Sequence, residues 1–372
     1  MKKIKIVADD KIPFLRGTLE NVADVVYLPG AKTTPADVRD ADALITRTRT
    51  ICNRELLADS QVKFIATATI GFDHIDLEDM KELGIQWRNA PGCNAQSVAQ
   101  YIASALTSFP GSREGAVLGI IGVGHVGKLV TKVGNALGMR VLLNDPPRAE
   151  VEGSAGFSSL KEIQEQADFI SLHVPLEKEG KYPTLKMLDR SFFDGVKEGV
   201  VFMNSSRGEA VDNEALKDAL KSGKVSSAVL DVWENEPGID RELMKLARFS
   251  TPHIAGYSTD GKANGTSMSI RSLTAFFGIE GFENFQVSDV PKALNSDTVL
   301  LDARQSAADQ IRRAVLHTYN IADDDWKLKS YPDDFEKLRG NYCIRREFSS
   351  YRVKGATPEA AKVLSALGFI VE

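Results

Sequence analysis

Residues 116–127 read Ala-Val-Leu-Gly-Ile-Ile-Gly-Val-Gly-His-Val-Gly, an apolar run that breaks into a glycine turn. The aliphatic residues before the turn suit a strand buried on both faces. The spacing of Gly122, Gly124 and Gly127 then predicts a tight turn and a helix from about Gly127 to Leu137. Asp145 ends the next strand-like run, MRVLLND. This order is the layout of a dinucleotide site. Gly122 permits the turn, Gly124 lets a pyrophosphate approach the backbone, and Gly127 lets helix pack on strand. Amides at His125 and Val126 then face the phosphate oxygens. Asp145 accepts hydrogen bonds from ribose hydroxyls and repels a 2'-phosphate, which favours NAD over NADP. Arg148 would argue for NADP, but it follows the stiff Pro146-Pro147 pair, and an exposed arginine needs no function.

Outward from this turn the same pattern recurs. AVLGIIGVG, MRVLLND, ADFISLHVP, VVFMNSS, SSAVLDV and FSTPHIAG supply six strands of a doubly wound sheet, placing an NAD-binding Rossmann lobe at 94–256. An earlier series, IKIVAD, VVYL, ALITR, KFIATATIG and IQWRNAP, predicts a second Rossmann-like lobe of flavodoxin type over 1–93, so the class is α/β. Between them NAQSVAQYIASALTSF carries Val98, Ile102, Ala105, Leu106 and Phe109 at helical spacing and stops at Pro110. GTSMSIRSLTAFFGI reads as a helix returning to the first lobe, which therefore also takes 257–285. Residues 286–372, with the helix-like TPEAAKVLSALG and strand-like FIV, form a small α+β C-terminal domain.

A chain of 372 residues exceeds what one hydrophobic core usually serves. Its net charge of -5 gives no general basic surface, so nucleic acid is not an expected partner. Cys52, Cys93 and Cys343 are far apart without metal or disulfide spacing, and no metal is expected. MKKIKIVADD enters a strand directly, and no apolar run of about 18 residues occurs, so the expectation is a soluble cytoplasmic protein with no membrane partner.

Ligands of open α/β sheets bind at the carboxyl ends of the strands. There Arg207, in NSSRGEAVD, offers a planar fork of donors suited to a 2-hydroxy carboxylate, although a surface ion pair is the plainer use of a lone arginine. His253, in TPHIAGY, offers an acid/base for the hydroxyl proton that hydride transfer must move; a structural histidine is the alternative. Glu236, in DVWENEP, is placed to polarise that imidazole. His173 lines the cofactor groove through its backbone, and His74 and His317 receive no role. In the first lobe Arg47, Thr48 and Thr69 end strands and are candidates for holding anionic oxygens.

The ordered set GxGxxG, Asp, HVPL, NSSRGEAVD, LDVWENEP and TPHIAG resembles the D-isomer-specific 2-hydroxyacid dehydrogenases over about 280 residues. The resemblance implies that Arg207 binds the carboxylate and carbonyl oxygen, His253 is the acid/base, and Glu236, by its Glu-Pro pattern rather than Glu234, raises its basicity. It further implies NAD contacts at Val174, Ser205, Ser206, Arg207, Asp231 and Gly256, and substrate contacts at Thr48, Thr69 and Tyr257. Cys93 and Ala95, the inserted Gly-Lys-Tyr at 180–182 and Tyr257 depart from the commonest pattern. With the tail YPDDFEKLRGNYCIRREF, which resembles a dimerisation domain, they point to the branch acting on a phosphorylated 2-hydroxy acid, 4-phospho-D-erythronate, as a homodimer. Two alternatives stay open: a D-3-phosphoglycerate dehydrogenase, and an NADH-sensing corepressor that keeps the same three residues without turnover.

Overall fold

The computed structural model describes residues 3–372, which form two compact units: residues 3–94 with Ser258–Pro291, and Ala95–Tyr257 with Lys292–Glu372.

In the first unit, β1 (Ile4–Asp9), β2 (Ala23–Leu28), β3 (Ala43–Thr46), β4 (Phe64–Thr67) and β5 (Gln86–Arg88) make a parallel sheet in the order β2-β1-β3-β4-β5. This is the flavodoxin-like order. Successive side chains of a strand point to opposite faces, so Ile6 and Ala8 join one apolar cluster with Ile45, Phe64 and Leu273, while Val7 joins another with Leu44, Ile65 and Met80. Both faces are covered, and β3 and β4 are buried throughout. The helix Thr259–Phe277 covers the first face; Ser258 Oγ caps it by accepting from the Gly261 amide at 2.8 Å, and left-handed Gly278 ends it.

The second unit is built on β6 (Val117–Ile121), β7 (Arg140–Asn144), β8 (Phe169–Leu172), β9 (Val200–Asn204), β10 (Val225–Leu230) and β11 (Phe249–Ser250), in the order β11-β10-β9-β8-β6-β7. All pairs are parallel. The chain leaves β6 in one direction to β7 and in the other to β8, so the topological switch lies between β6 and β8, where a crevice opens at the carboxyl ends. The residues after 291 add a three-stranded parallel sheet of β12 (Thr298–Leu300), β13 (Arg352–Lys354) and β14 (Ile370–Val371). That sheet has no separate core. Val299, Val315, Tyr351 and Leu364 lie in one cluster with Leu118, Val133 and Tyr101, so the C-terminal segment and the six-stranded lobe bury their apolar surface together.

Candidate active site

The turn after β11 is wound around one carboxylate. Asp231, at the end of β10 and 1 % exposed, accepts from Thr251 Oγ1 at 2.6 Å and from the amides of Ile254 and Ala255 at 2.8 Å each. Its carbonyl oxygen accepts the His253 amide at 2.7 Å. These bonds hold His253 at φ 55, a left-handed conformation that a histidine does not keep without support. Burial pushes the Asp231 carboxyl up, against the charge of His253 and the hydrogen bonds it accepts.

A second carboxylate sets the side chain. Glu236 Oε2 lies 2.8 Å from His253 Nδ1, and Oε1 accepts the Trp233 amide at 3.0 Å. Trp233 is itself fixed, its indole donating to the Thr251 carbonyl at 3.0 Å. Burial would raise Glu236, but the hydrogen bond and charge of His253, the Trp233 amide and the charge of Arg339 together hold it below the usual carboxylate range. Glu236 is therefore ionised at neutral pH. It occupies Nδ1 and leaves Nε2 as the edge of His253 able to exchange a proton. The neighbouring Glu234 pairs instead with Lys186, at 3.4 Å.

Arg207 stands beyond β9 in a turn organised by buried Asn204, whose Oδ1 accepts from the amide and the hydroxyl of Ser206 and whose Nδ2 donates to the Arg207 carbonyl at 2.9 Å. Arg207 Nη1 donates to the Ser206 carbonyl at 2.8 Å. A Cβ on Gly208 would lie 2.0 Å from the carbonyl carbon of Trp233, so this turn and the one carrying Glu236 are in backbone contact.

At the switch point, Gly122 has φ 87, and a Cβ there would lie 2.5 Å from the His173 carbonyl oxygen. A Cβ on Gly127 would meet the Gly122 carbonyl oxygen at 2.1 Å, whereas one on Gly124 would meet nothing within 4 Å. The turn is thus closed on its inner side and open where a phosphate would rest. The helix His125–Ala136 begins there with no side-chain cap and no acid in its first turn, so the amides near His125 and Val126 remain for an anion. Asp145 accepts from the Val123 amide at 2.8 Å and the Arg148 amide at 3.1 Å, tying the turn to the next helix. Arg148 is consumed by Glu152, at 2.7 and 2.6 Å, and by the Val123 carbonyl. No guanidinium is left there for a 2'-phosphate. Along the same strand ends Ser205 Oγ and His173 Nδ1 are buried with no hydrogen-bonding partner among the described residues, as expected where a polar ligand completes the site. The open cradle, the acid and these orphaned atoms fit NAD.

His173 is held neutral, its value lowered to about 3 by burial, with Nε2 2.8 Å from Ser171 Oγ. In the same unit Val174 lies two residues past β8 and Gly256 in the turn that follows β11. Arg47, Thr48 and Thr69 belong to the first unit, just past β3 and β4. Arg47 Nη1 donates to the Lys11 carbonyl at 3.1 Å, Thr69 Oγ1 to the Gly71 carbonyl at 2.8 Å, and Thr48 is exposed. Tyr257 is half-buried, its ring edge-on to Tyr342 at 6.0 Å with Arg339 above it at 5.6 Å. Sequence reasoning gave no role to Asn204, Thr251 and Arg339: they lie within NSSRGEAVD, TPHIAG and YPDDFEKLRGNYCIRREF, but their bonds and ring contacts run to residues that the local sequence does not mark.

Residues 87–255 match the model of the D-isomer specific 2-hydroxyacid dehydrogenase NAD binding domain, and residues 293–368 match a domain described only as of unknown function. The chain is 50 % identical over 355 residues to an erythronate-4-phosphate dehydrogenase of Bacteroides fragilis, covering 94 % of this chain and 99 % of the relative. An enzyme of the same name from Porphyromonas gingivalis is 41 % identical over 373 residues, covering 99 % of this chain and all of the relative. Among solved structures, D-lactate dehydrogenase from Aquifex aeolicus, complexed with NAD and lactic acid, is similar with a TM-score of 0.63 and 29 % identity over 74 % of this chain and 95 % of that one. NAD+-bound 3-phosphoglycerate dehydrogenase of Entamoeba histolytica is similar with a TM-score of 0.64 and 25 % identity, covering 78 % of this chain and all of the other.

Proposed function

The chain belongs to the erythronate-4-phosphate dehydrogenases of the D-isomer-specific 2-hydroxyacid dehydrogenase family, and from that premise we propose how its residues divide the reaction. The enzyme oxidises 4-phospho-D-erythronate at C2 to (R)-3-hydroxy-2-oxo-4-phosphooxybutanoate, a step of pyridoxal 5'-phosphate biosynthesis. Bound NAD supplies the hydride acceptor. Arg207 clamps the substrate carboxylate and the C2 oxygen through two donors, which fixes C2 and stabilises the oxygen as it becomes a carbonyl. His253 Nε2 takes the C2 hydroxyl proton, and Glu236 stabilises the imidazolium so formed. The Gly122–Gly127 turn holds the pyrophosphate, Asp145 the adenosine ribose, and Val174, Ser205, Ser206, Asp231 and Gly256 the nicotinamide half. Arg47, Thr48, Thr69 and Tyr257 are the proposed substrate contacts.

The observation that carries this reading is the 2.8 Å pairing of His253 Nδ1 with an ionised, partly buried Glu236 beside the turn bearing Arg207. Product analysis after incubation with NAD and either 4-phospho-D-erythronate or 3-phospho-D-glycerate tests it. Formation of the four-carbon 2-oxo acid is expected; preference for 3-phosphoglycerate, or no turnover, overturns it. We further read the protein as a cytoplasmic homodimer. Leu294, Leu300 and Ile370, exposed on the C-terminal segment, support an interface there. No helix among the described residues is long and apolar enough to cross a membrane.

A further inference from the structure

The C-terminal segment is built onto the turn that carries His253. Arg345, 4 % exposed, donates to Ser97 Oγ and to the Ala255 carbonyl, and its guanidinium stacks on Tyr319 at 4.4 Å and on Tyr342 at 5.7 Å. Tyr342 in turn donates to Asp324 at 2.6 Å and presents its ring to Tyr257. A few residues earlier, the short helix Phe335–Gly340 is anchored by Phe335 and Leu338 in the cluster that contains Trp233, the residue whose amide binds Glu236. The segment is therefore tied to its neighbours on both sides of Arg339.

Arg339 differs from Arg345. Its guanidinium lies over the Tyr257 ring, and its Nε is buried with no hydrogen-bonding partner among the described residues. Its charge is close enough to help hold Glu236 ionised. A half-buried guanidinium whose Nε finds no acceptor is costly unless an anion completes it. The reaction supplies one, because the phosphate ester of the substrate lies only a few bonds beyond C2.

We propose that Arg339 binds the phosphate of the substrate, so that the C-terminal segment contributes to selectivity for a phosphorylated acid. This rests on the function proposed above. A planar fork matches two phosphate oxygens, and the flat Tyr257 ring holds that fork in one orientation.

The test compares the parent, Arg339→Met and Arg339→Lys, loaded with NADH for the binding measurement and supplied with NAD as the oxidant for turnover. Affinity for 4-phospho-D-erythronate is measured by calorimetry, and kcat/KM is measured with that acid and with unphosphorylated D-erythronate. Arg339→Met is expected to lose about a hundredfold in affinity and in kcat/KM for the phosphorylated acid, the scale of losing charge-assisted hydrogen bonds. Loss on D-erythronate, where only the effect of the Arg339 charge on Glu236 remains, is smaller by at least about tenfold, and Arg339→Lys recovers part of the difference through a point charge. Equal loss on both acids would mean that Arg339 acts on the Glu236–His253 pair, and would overturn the assignment, as would unchanged affinity. A parent that binds 4-phosphoerythronate without oxidising it would refute the activity and still leave the affinity difference to decide the phosphate site. A parent that binds neither acid overturns both.

Discussion

Replacing Glu236 with Gln keeps the size of the side chain and removes its charge. Both carboxylate oxygens are in use, Oε2 at 2.8 Å from His253 Nδ1 and Oε1 at 3.0 Å from the Trp233 amide. An amide has one acceptor oxygen, so in the variant one of the two donors faces an NH2 group. The larger loss comes during turnover, when His253 becomes an imidazolium. Two unit charges about 4 Å apart interact by about 4 kcal/mol at an effective dielectric of about 20, an upper value for this pair. Exchanging a charged for a neutral acceptor alone removes about 1–2 kcal/mol. The pair is less than a third exposed, so solvent screens it only partly. A rise of about 2–4 kcal/mol in the barrier lowers kcat about 30- to 900-fold. Steady-state oxidation of 4-phospho-D-erythronate gives kcat, and quenching of protein fluorescence gives NADH affinity, which should stay within about twofold because Glu236 is no part of the glycine turn. A fall in kcat of less than about threefold, or one matched by an equal loss of NADH affinity, would refute the assignment of Glu236 as the partner of the proton-accepting imidazole.

Asp145→Ala should raise the preference ratio for NADP over NAD about tenfold or more by removing a charged acceptor, and should lower stability by about 1–2 kcal/mol, because the same carboxylate holds the Val123 and Arg148 amides; an unchanged ratio in coenzyme titrations would sink the ribose assignment. Gly208→Ala places a Cβ 2.0 Å from the Trp233 backbone, so the turn carrying Glu236 must shift; kcat should fall at least about tenfold while NADH still binds, and wild-type turnover would show that the two turns do not need that contact. His74 is buried beside Thr46 and Thr67, and burial lowers its value from 6.5 to about 4. The unfolded chain then takes up the proton first as pH falls, so stability present above about pH 6.5 is lost progressively toward pH 4, by up to about 3 kcal/mol. His74→Asn should flatten the dependence of the urea midpoint on pH over that window, and a slope equal to the parent's would refute the linkage.

The architecture was legible because it is written locally. Runs such as residues 117–121 and 200–203 are continuously apolar, short and bounded by turn or polar residues, which is what a parallel strand covered on both faces requires. The Gly122–Gly127 turn was legible for a similar reason: each glycine answers a steric demand within a few residues of itself or from the adjoining strand end. The candidate catalytic residues were legible only one at a time, as polar residues at strand ends. What joins them is not local. Trp233 reaches Thr251, Thr251 reaches Asp231, and Tyr101 lies 2.9 Å from Thr251, and each of these bonds spans many residues of chain. Arg339 is more remote still. Its neighbours Lys337 and Asp334 pair with each other as on any surface helix, so nothing in EKLRG distinguishes an arginine facing Tyr257 from one facing water.

The two acids of the site divide the placement of His253 between backbone and side chain. Asp231 gathers the Thr251 hydroxyl and the Ile254 and Ala255 amides around one buried carboxylate, and its carbonyl takes the His253 amide, so the left-handed residue is bracketed by bonds on both sides. Glu236 then fixes the rotation of the ring through Nδ1. Neither acid can do the other's work. Asp231 is taken up by donors of its own turn, while Glu236 accepts hydrogen bonds from the imidazole and the Trp233 amide. A strained backbone held by one carboxylate and a ring aimed by another leave Nε2 with little freedom before substrate arrives, and this preorganisation lets a single imidazole serve as a base without a further search for geometry at the moment of proton transfer.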